Sequence, residues 1–270
     1  MPAFDKIALG QYIPAASPVH ALDPRGKIIL TILIMVAIFM THTLTAFVVW
    51  GLFLFMLARL AKIPVRTVIS SAKPVLVLII FTSLLHLFFT PGKPIVSVWR
   101  ISITLEGIVL AISMSLRLAL LVMYASILTF TTSPAKISDG LEGILSPLRR
   151  VGLPAHEIAM MITIALRFIP TLFEETGRII KAQKSRGADF DNGGLIRRAK
   201  AYIPVLIPLF VIIFRRADNL ATAMEARGYC GGEGRTRLRP LKWRSADSAA
   251  LVIFIVIAAA ILWSEVLFPI

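Results

Sequence analysis

The sequence is poor in cysteine and in acidic side chains, and each shortage excludes certain kinds of site and classes of protein. Cys230 is the only cysteine in 270 residues, which excludes an intrachain disulfide and a cysteine-based zinc or redox site. Only 15 Asp and Glu accompany 29 Lys and Arg. A membrane-embedded enzyme needs clustered acids or histidines around a water-filled cavity, and the apolar stretches hold almost no acids.

Nucleotide-binding motifs are also absent. The sequence contains no G-x-x-x-x-G-K-[ST] loop, so it has no Walker A site for ATP. The net charge of +14 does not indicate nucleic acid, because the basic residues lie between apolar runs without the interleaved aromatic residues of a strand-binding surface. We therefore expect no bound cofactor, no metal site and no nucleic-acid partner in this chain.

Apolar residues are in excess instead, at 57% of the chain. A membrane-spanning helix needs about 20 mainly apolar residues. The runs that approach this length are 28–41, 44–60, 75–90, 108–130 and 249–268. They predict an all-α polytopic membrane protein that lies in the lipid bilayer, with about five transmembrane helices and long cytoplasmic helices.

The basic residues predict the orientation of these spans. Arg25 and Lys27 precede the first run, and four more basic residues surround the connection between the second and third. The opposite side receives only Lys93 and Arg100. Because Lys and Arg concentrate on the cytoplasmic side of membrane proteins, we expect a cytoplasmic N-terminus and, with five spans, an external C-terminus.

The long segment between the last two spans holds 19 of the 29 basic residues. Two apolar runs interrupt it, 158–173 with Arg167 and Pro170 inside, and 201–214 with two prolines. We expect neither run to span, because both are shorter than a normal span and their crossing would place many basic residues outside. The predicted division is an N-terminal membrane region over 1–131, a cytoplasmic or interfacial segment of long helices over 132–246, and a last span over 247–270.

Each half of the segment 132–246 contains a helix that ends in a similar tripeptide, Ser185-Arg186-Gly187 and Ala226-Arg227-Gly228. Glycine supplies the left-handed conformation that closes a helix, and arginine suits the negative end of the helix dipole. Each tripeptide is therefore either an ordinary helix end or a tip that presents an arginine to a partner. The repetition at the ends of two apolar-then-basic helices favours the second interpretation.

Taken together, these motifs make the sequence resemble the transmembrane subunit of energy-coupling factor transporters, EcfT, over nearly its whole length. The resemblance depends on the two x-Arg-Gly tips and on the motifs His20-Ala-Leu-Asp23-Pro24-Arg25-Gly-Lys27, Ala223-Met-Glu225-Ala-Arg227-Gly-Tyr229 and Gly231-Gly-Glu233-Gly-Arg235-Thr. The last two are most similar to members that serve several substrate-binding subunits. One departure is Ser185, where the family usually has alanine.

The resemblance implies a non-catalytic subunit of an ATP-driven importer in the cell membrane of a prokaryote. Its partners would be two ABC-type ATPase subunits, which bind ATP and Mg, and a small membrane-embedded S subunit that binds a vitamin or micronutrient. The residues implied to bind the ATPase subunits are Ser185, Arg186, Gly187, Glu225, Ala226, Arg227 and Gly228. The alternatives are a stand-alone secondary transporter and an integral-membrane enzyme, although the spans lack coupling-ion acids and inverted repeats.

Two further places have two interpretations each. Asp23-Pro24-Arg25 is one of them. It is either the start of a helix, with Asp23 as N-cap and Pro24 in the first turn, or a contact for the coupling helices, which are the two helices that end in the x-Arg-Gly tips. Arg117 lies in the middle of the fourth run. A charge there is either functional or satisfied by snorkelling or by a hydrogen bond to a helix end.

Overall fold

The computed structural model of the chain describes residues 12–98, 101–147, 154–190, 194–231 and 241–267. These residues are almost entirely helical, as predicted. In chain order the helices are α1 (Pro18–Ala21), α2 (Pro24–Met40), α3 (Leu44–Leu60), α4 (Val65–Ser70), α5 (Leu76–Phe89), α6 (Leu105–Thr131), α7 (Pro134–Leu145), α8 (Ala155–Ser185), α9 (Leu195–Glu225) and α10 (Ser245–Leu267).

The described residues fall into two compact units. One contains those of Gly10–Gly143 and Leu241–Ile270, and we name it the bundle unit. The other contains those of Ile144–Pro240, and we name it the two-helix unit because it consists mainly of α8 and α9. The bundle unit includes α2, α3, α5, α6 and α10, which correspond to the five predicted spans.

Three helical stretches of the described chain are long and apolar enough to cross a membrane. They are Val65–Phe89, Leu105–Thr131 and His156–Ser185; Leu44–Leu60 and Ser245–Ile261 are apolar but shorter. Large apolar side chains on the bundle helices point outward, for example Leu52 at 64% exposure and Val256 at 61%. An exposed apolar surface of this extent is suited to lipid or to a membrane-embedded partner.

The expectation that the run 158–173 is too short to span was wrong as far as length is concerned. Although Pro170 lies inside it, α8 continues through the proline for 31 residues. A proline removes one backbone hydrogen bond and bends a helix without necessarily ending it. The expectation of a long helix that is apolar first and basic later is confirmed for α8. Helix α9 is equally long, at 31 residues, but Arg197, Arg198 and Lys200 precede its apolar run, so it is basic at both ends of that run.

The core of the bundle unit lies around Trp50 of α3, which has no exposed surface. Its ring contacts Phe53, Tyr124 of α6 and Phe254 of α10, with centroids 6.2 to 6.3 Å apart. The Tyr124 hydroxyl donates to the Trp50 carbonyl at 2.7 Å. Aromatic packing therefore joins three helices that are distant in sequence, and the buried hydroxyl has a partner.

A short antiparallel hairpin, β1 (Pro94–Val98) and β2 (Ile101–Thr104), connects α5 to α6 and was not predicted. Thr104 then caps α6, because its hydroxyl accepts from the Gly107 N–H and donates to the Thr90 carbonyl, both at 3.0 Å. A Cβ at Gly107 would lie 3.1 Å from the His86 carbonyl oxygen. Glycine therefore permits the close approach of α5 and α6 at this end of the bundle.

Candidate functional site

The first tripeptide ends α8 as a glycine-closed cap. Gly187 has a φ of +88°, in the left-handed region that favours glycine. Its N–H donates to the Lys184 carbonyl at 3.0 Å, and the Ala188 N–H donates to the Gln183 carbonyl at 3.0 Å. This pair of bonds is the Schellman motif, which satisfies carbonyls left over at a helix end.

The second tripeptide repeats the same cap at the end of α9. Gly228 has a φ of +75°. Its N–H donates to the Glu225 carbonyl at 2.8 Å, and the Tyr229 N–H donates to the Met224 carbonyl at 3.0 Å. In both caps the residue immediately before the glycine is an arginine, so two separate helices present a guanidinium group at the same place in the motif.

Both arginines are exposed, as are the other residues predicted to bind the ATPase subunits: Ser185, Gly187, Glu225, Ala226 and Gly228. The side chains of Arg186 and Arg227 make no hydrogen bond or ion pair with another residue in the described stretches of the chain. The Ser185 hydroxyl donates to the Lys181 carbonyl at 3.2 Å, so serine in place of alanine adds only a local bond.

The two tips lie far apart within the two-helix unit. The Gln183 side-chain amide donates to the Pro204 carbonyl at 3.3 Å, and Arg216 pairs with Glu175 at 3.1 Å. From the second pair to the first, the residue number increases along α8, from 175 to 183, and decreases along α9, from 216 to 204. The two helices therefore run antiparallel. The first tip therefore lies near the beginning of α9, and Arg227 lies 23 residues beyond Pro204. That interval corresponds to about 35 Å of helix.

The prolines of α9 contribute to this pairing. Pro208 has no N–H, so it leaves the carbonyl of Pro204, four residues earlier, without its usual helical partner. The Gln183 amide supplies a donor to that carbonyl. A small core of Ile180, Phe190 and Val205 packs beside it, which fixes where α8 crosses α9.

The Asp23-Pro24-Arg25 segment begins α2, as one of its two interpretations predicts. The Asp23 carboxylate accepts from the Arg25 N–H at 2.9 Å, and Pro24 is the first helical residue. The Asp23 N–H in turn donates to Asp247 at the start of α10, at 2.7 Å. Asp247 also accepts from the Arg244 N–H at 2.8 Å, and the Arg25 guanidinium donates to the Leu241 carbonyl at 3.1 Å.

Lys27 extends this contact to α6. Its ammonium donates to the Thr131 carbonyl at 3.1 Å, to the Thr132 hydroxyl at 3.3 Å and to the His20 carbonyl at 3.2 Å. We name the set Asp23, Arg25, Lys27, Thr131, Leu241 and Asp247 the α2 clasp. It joins the beginning of α2, the end of α6 and the stretch that leads into α10.

Burial affects the charge of Lys27, which lies just before the first predicted span. Desolvation lowers the pKa of its ammonium from 10.5 to about 8. The charge of Lys136 acts in the same direction, while the carboxylates of Asp247 and Asp23 oppose it. A cation in this position is retained by its three oxygen partners rather than by water.

Arg117 shows the hydrogen bond to a helix end that was one of its interpretations. Its guanidinium donates to the Thr41 carbonyl, which follows the last residue of α2. The group also lies 5.7 Å from the Phe47 ring centroid and 3.6 Å from the Met114 sulfur. Arg117 thus satisfies a backbone acceptor that lipid could not. A role in coupling stays a prediction.

Sequence reasoning missed Lys27, Thr131, Leu241 and Asp247 as members of the clasp. Asp247 carried a usable signal, because it is one of only 15 acids and immediately precedes an apolar run. Its partner Asp23 is 224 residues away, a distance that no local pattern reveals. Within the described ranges, no group of three His, Cys, Asp or Glu side chains could hold a metal ion.

Comparison with known proteins gives consistent matches over the chain. Residues 15–238 match the CbiQ family model, described as a cobalt transport protein. The chain is 52% identical over 261 residues to the energy-coupling factor transporter transmembrane protein EcfT of Thermanaerovibrio acidaminovorans, with 97% of each chain covered. Identity to the EcfT of Bacillus subtilis is 43%, covering 94% of this chain and 97% of the relative. For that of Lactococcus lactis it is 44%, covering 96% and 98%.

Replacing Arg117 with methionine should lower the melting temperature of the detergent-solubilised protein. The Thr41 carbonyl would lose its donor in an apolar setting, which costs about 1–3 kcal/mol. Arg117→Lys keeps a donor, so its melting temperature should lie between those of wild type and Arg117→Met. The matched control is Arg66→Met on α4, where the side chain is exposed. Equal melting temperatures for wild type and Arg117→Met would contradict this role.

Lys27 should make stability depend on pH in one direction. Below about pH 8 the ammonium is protonated in both the folded and unfolded chains, so the folded state carries the full desolvation penalty. Between about 8 and 10.5 the unfolded chain binds more protons, so stability rises with pH. The melting temperature of wild type should therefore rise relative to that of Lys27→Met across this window. A constant difference between the two would be evidence against the buried ammonium.

Proposed function

The chain belongs to the EcfT family of energy-coupling factor transporter transmembrane proteins, and from this membership we propose that it couples two ABC-type ATPase subunits to a substrate-binding S subunit. In this proposal ATP binding closes the ATPase pair, and the ends of α8 and α9 follow that movement. The movement then reorients the S subunit in the membrane. The transported substrate is a vitamin or another micronutrient, which the S subunit selects.

The observation that carries the proposal is the repeated helix cap. Two 31-residue helices end in the same Schellman motif, and each motif exposes one arginine. The antiparallel pairing of the helices sends these ends in opposite directions. Two tips of the same design that are about 35 Å apart suit two similar partners better than one.

Arginine is well suited to such a tip. Its planar guanidinium can bind a carboxylate or two carbonyls at once, which fixes direction as well as distance. The glycine-closed cap adds rigidity because the backbone on both sides of the arginine is hydrogen-bonded. A rigid tip transmits a displacement, whereas a flexible loop would absorb it.

The bundle unit supports the membrane side of the proposal. No residue of α5 is buried within the chain, and its Val77 and Phe89 are 77% and 79% exposed. Such a helix requires lipid or a membrane-embedded protein around it. We assign some of this apolar surface to the S subunit and the rest to the bilayer.

ATP and Mg bind to the partner subunits in this proposal, and the chain itself is non-catalytic. The absence of a Walker A loop from the full sequence supports that assignment. The basic residues that precede and follow the spans support a cytoplasmic N-terminus and cytoplasmic tips in a prokaryotic cell membrane. The tips would then face the compartment that supplies ATP.

Co-purification with two ATPase chains and an S subunit tests the proposal. Arg186→Ala and Arg227→Ala should each weaken retention of the ATPase subunits, and the double variant should retain least. Removing one partner of a buried charged contact costs about 2–5 kcal/mol, which is at least tenfold in affinity. Arg227→Lys should also be impaired, because lysine cannot reproduce the planar double contact.

Arg178→Ala is the matched control for these variants. This arginine is on α8, is 71% exposed and has only a 3.8 Å ion pair with Glu175. Its loss should leave ATPase retention unchanged, since surface ion pairs contribute under about 1 kcal/mol. Full retention by the double tip variant would contradict the proposed contact. Gradient-driven uptake by this chain alone in liposomes would instead indicate a secondary transporter.

A further inference from the structure

The two-helix unit is joined to the bundle unit by two chain connections. The chain leaves the bundle unit after Gly143, near the end of α7, and re-enters it at Leu241, ahead of α10. Any displacement of α8 and α9 that travels along the chain must pass through these connections. On the bundle side, the first turn of α2 contacts both of them.

The outgoing connection packs closely on α2 through two glycines of α7. A Cβ at Gly140 would lie 3.1 Å from the Pro24 Cβ and 3.0 Å from the Ile28 Cδ1. A Cβ at Gly143 would lie 2.7 Å from the Arg25 Cδ. Residues three apart lie on the same side of a helix, so these glycines form one contact surface against the first turn of α2.

The returning connection is held by polar contacts with the same turn. The Arg25 guanidinium donates to the Leu241 carbonyl at 3.1 Å, and Asp247 accepts from the Asp23 N–H at 2.7 Å. The Trp243 ring would lie 3.5 Å from a Cβ at Gly26, so this turn also packs against the returning chain.

Arg25 is common to the two connections. The middle of its side chain fills the space left by Gly143, and its guanidinium holds Leu241. A methyl group at position 143 would therefore displace Arg25 and release the contact on the returning side. Because 98 positions separate 143 from 241, only the fold brings them to one side chain.

We propose that the α2 clasp is the joint through which displacement of α8 and α9 reaches the membrane helices, with Gly143, Arg25 and Asp247 as positioning residues. This inference rests on the proposed function. Within the bundle unit, the joint holds Gly143 and Leu241, where the chain leaves and re-enters that unit, against the first turn of α2, and the clasp also binds the end of α6 and the start of α10. These helices then shift together when the tips are displaced.

Burial explains why the clasp transmits a displacement instead of absorbing it. Asp23 and Asp247 are only 5% and 2% exposed. Separating their hydrogen-bonded partners would leave a buried donor or acceptor unsatisfied, which is costly away from water. Coupling between distant sites requires packed and hydrogen-bonded elements of this kind.

The experiment measures movement in the bundle unit of the full complex with both ATPase chains and an S subunit. Spin labels are placed at the exposed positions Leu52→Cys on α3 and Val256→Cys on α10, with the native cysteine removed as Cys230→Ser. Pulsed electron resonance gives the distance between labels with and without a non-hydrolysable ATP analogue. Retention of the ATPase chains is measured on the same samples.

The nucleotide should shift the distance in the complex with an otherwise unchanged chain. Gly143→Ala and Arg25→Met should retain the ATPase chains but reduce that shift to less than about a third. Gly177→Ala is the matched control, because this α8 glycine also gains a methyl group but has nothing within 4 Å of it. It should keep the full shift.

The results separate this inference from the function on which it rests. Failure of the unmodified chain to retain ATPase subunits would overturn the proposed function. A full shift in both Gly143→Ala and Arg25→Met would overturn the joint alone. Loss of ATPase retention in both variants, or an equal loss of the shift in Gly177→Ala, would also overturn the joint, because each would indicate a general structural effect.

Discussion

The fold of the bundle depends on a constraint that lipid imposes, because hydrocarbon offers no hydrogen-bond partner to a protein group. Several polar side chains therefore bind backbone groups at the places where a helix begins or ends. Asp23 and Asp247 satisfy backbone N–H groups at the starts of α2 and α10, and Arg117 satisfies a carbonyl at the end of α2. These contacts fix the ends of the helices, and the aromatic core around Trp50 fixes the middle.

The two-helix unit consists mainly of two long helices, and each of them contains proline, which interrupts helical hydrogen bonding. The structure accommodates Pro208 by donating a side-chain amide to the freed carbonyl of Pro204. At the C-terminal end of each helix, a glycine closes the helix and the arginine before it stays exposed. A stiff helix with a defined tip is what the proposed coupling to ATPase subunits requires.

Much of this architecture could be predicted from local patterns. The run 44–60 coincides with α3, and the glycines at 187 and 228 adopt the left-handed conformation that their positions predicted. Hydrophobic length and helix-end chemistry act over a few residues, so one sequence is enough to reveal them. The helix through Pro170 was expected as well, but the run 158–173 underestimated its apolar length, because residues on both sides of the run extend the stretch that is long enough to span.

The clasp could not be predicted for a related reason. Its members come from three separate stretches of the chain, and the contact between Asp23 and Asp247 closes a loop of 224 residues. No sequence motif around either aspartate predicts that the two are in contact. The hairpin between α5 and α6 was missed as well, because its strands are only five and four residues long and follow an apolar run.

The accessibility of Cys230 tests the central claim most directly, and it needs no mutation. This exposed cysteine is the only one in the chain and lies three residues beyond Arg227. A membrane-impermeant maleimide should label it in inverted membrane vesicles but not in right-side-out vesicles, and assembled ATPase subunits should slow the reaction. Labelling from the outer side, or the same rate with and without the ATPase subunits, would contradict a cytoplasmic tip that docks on them.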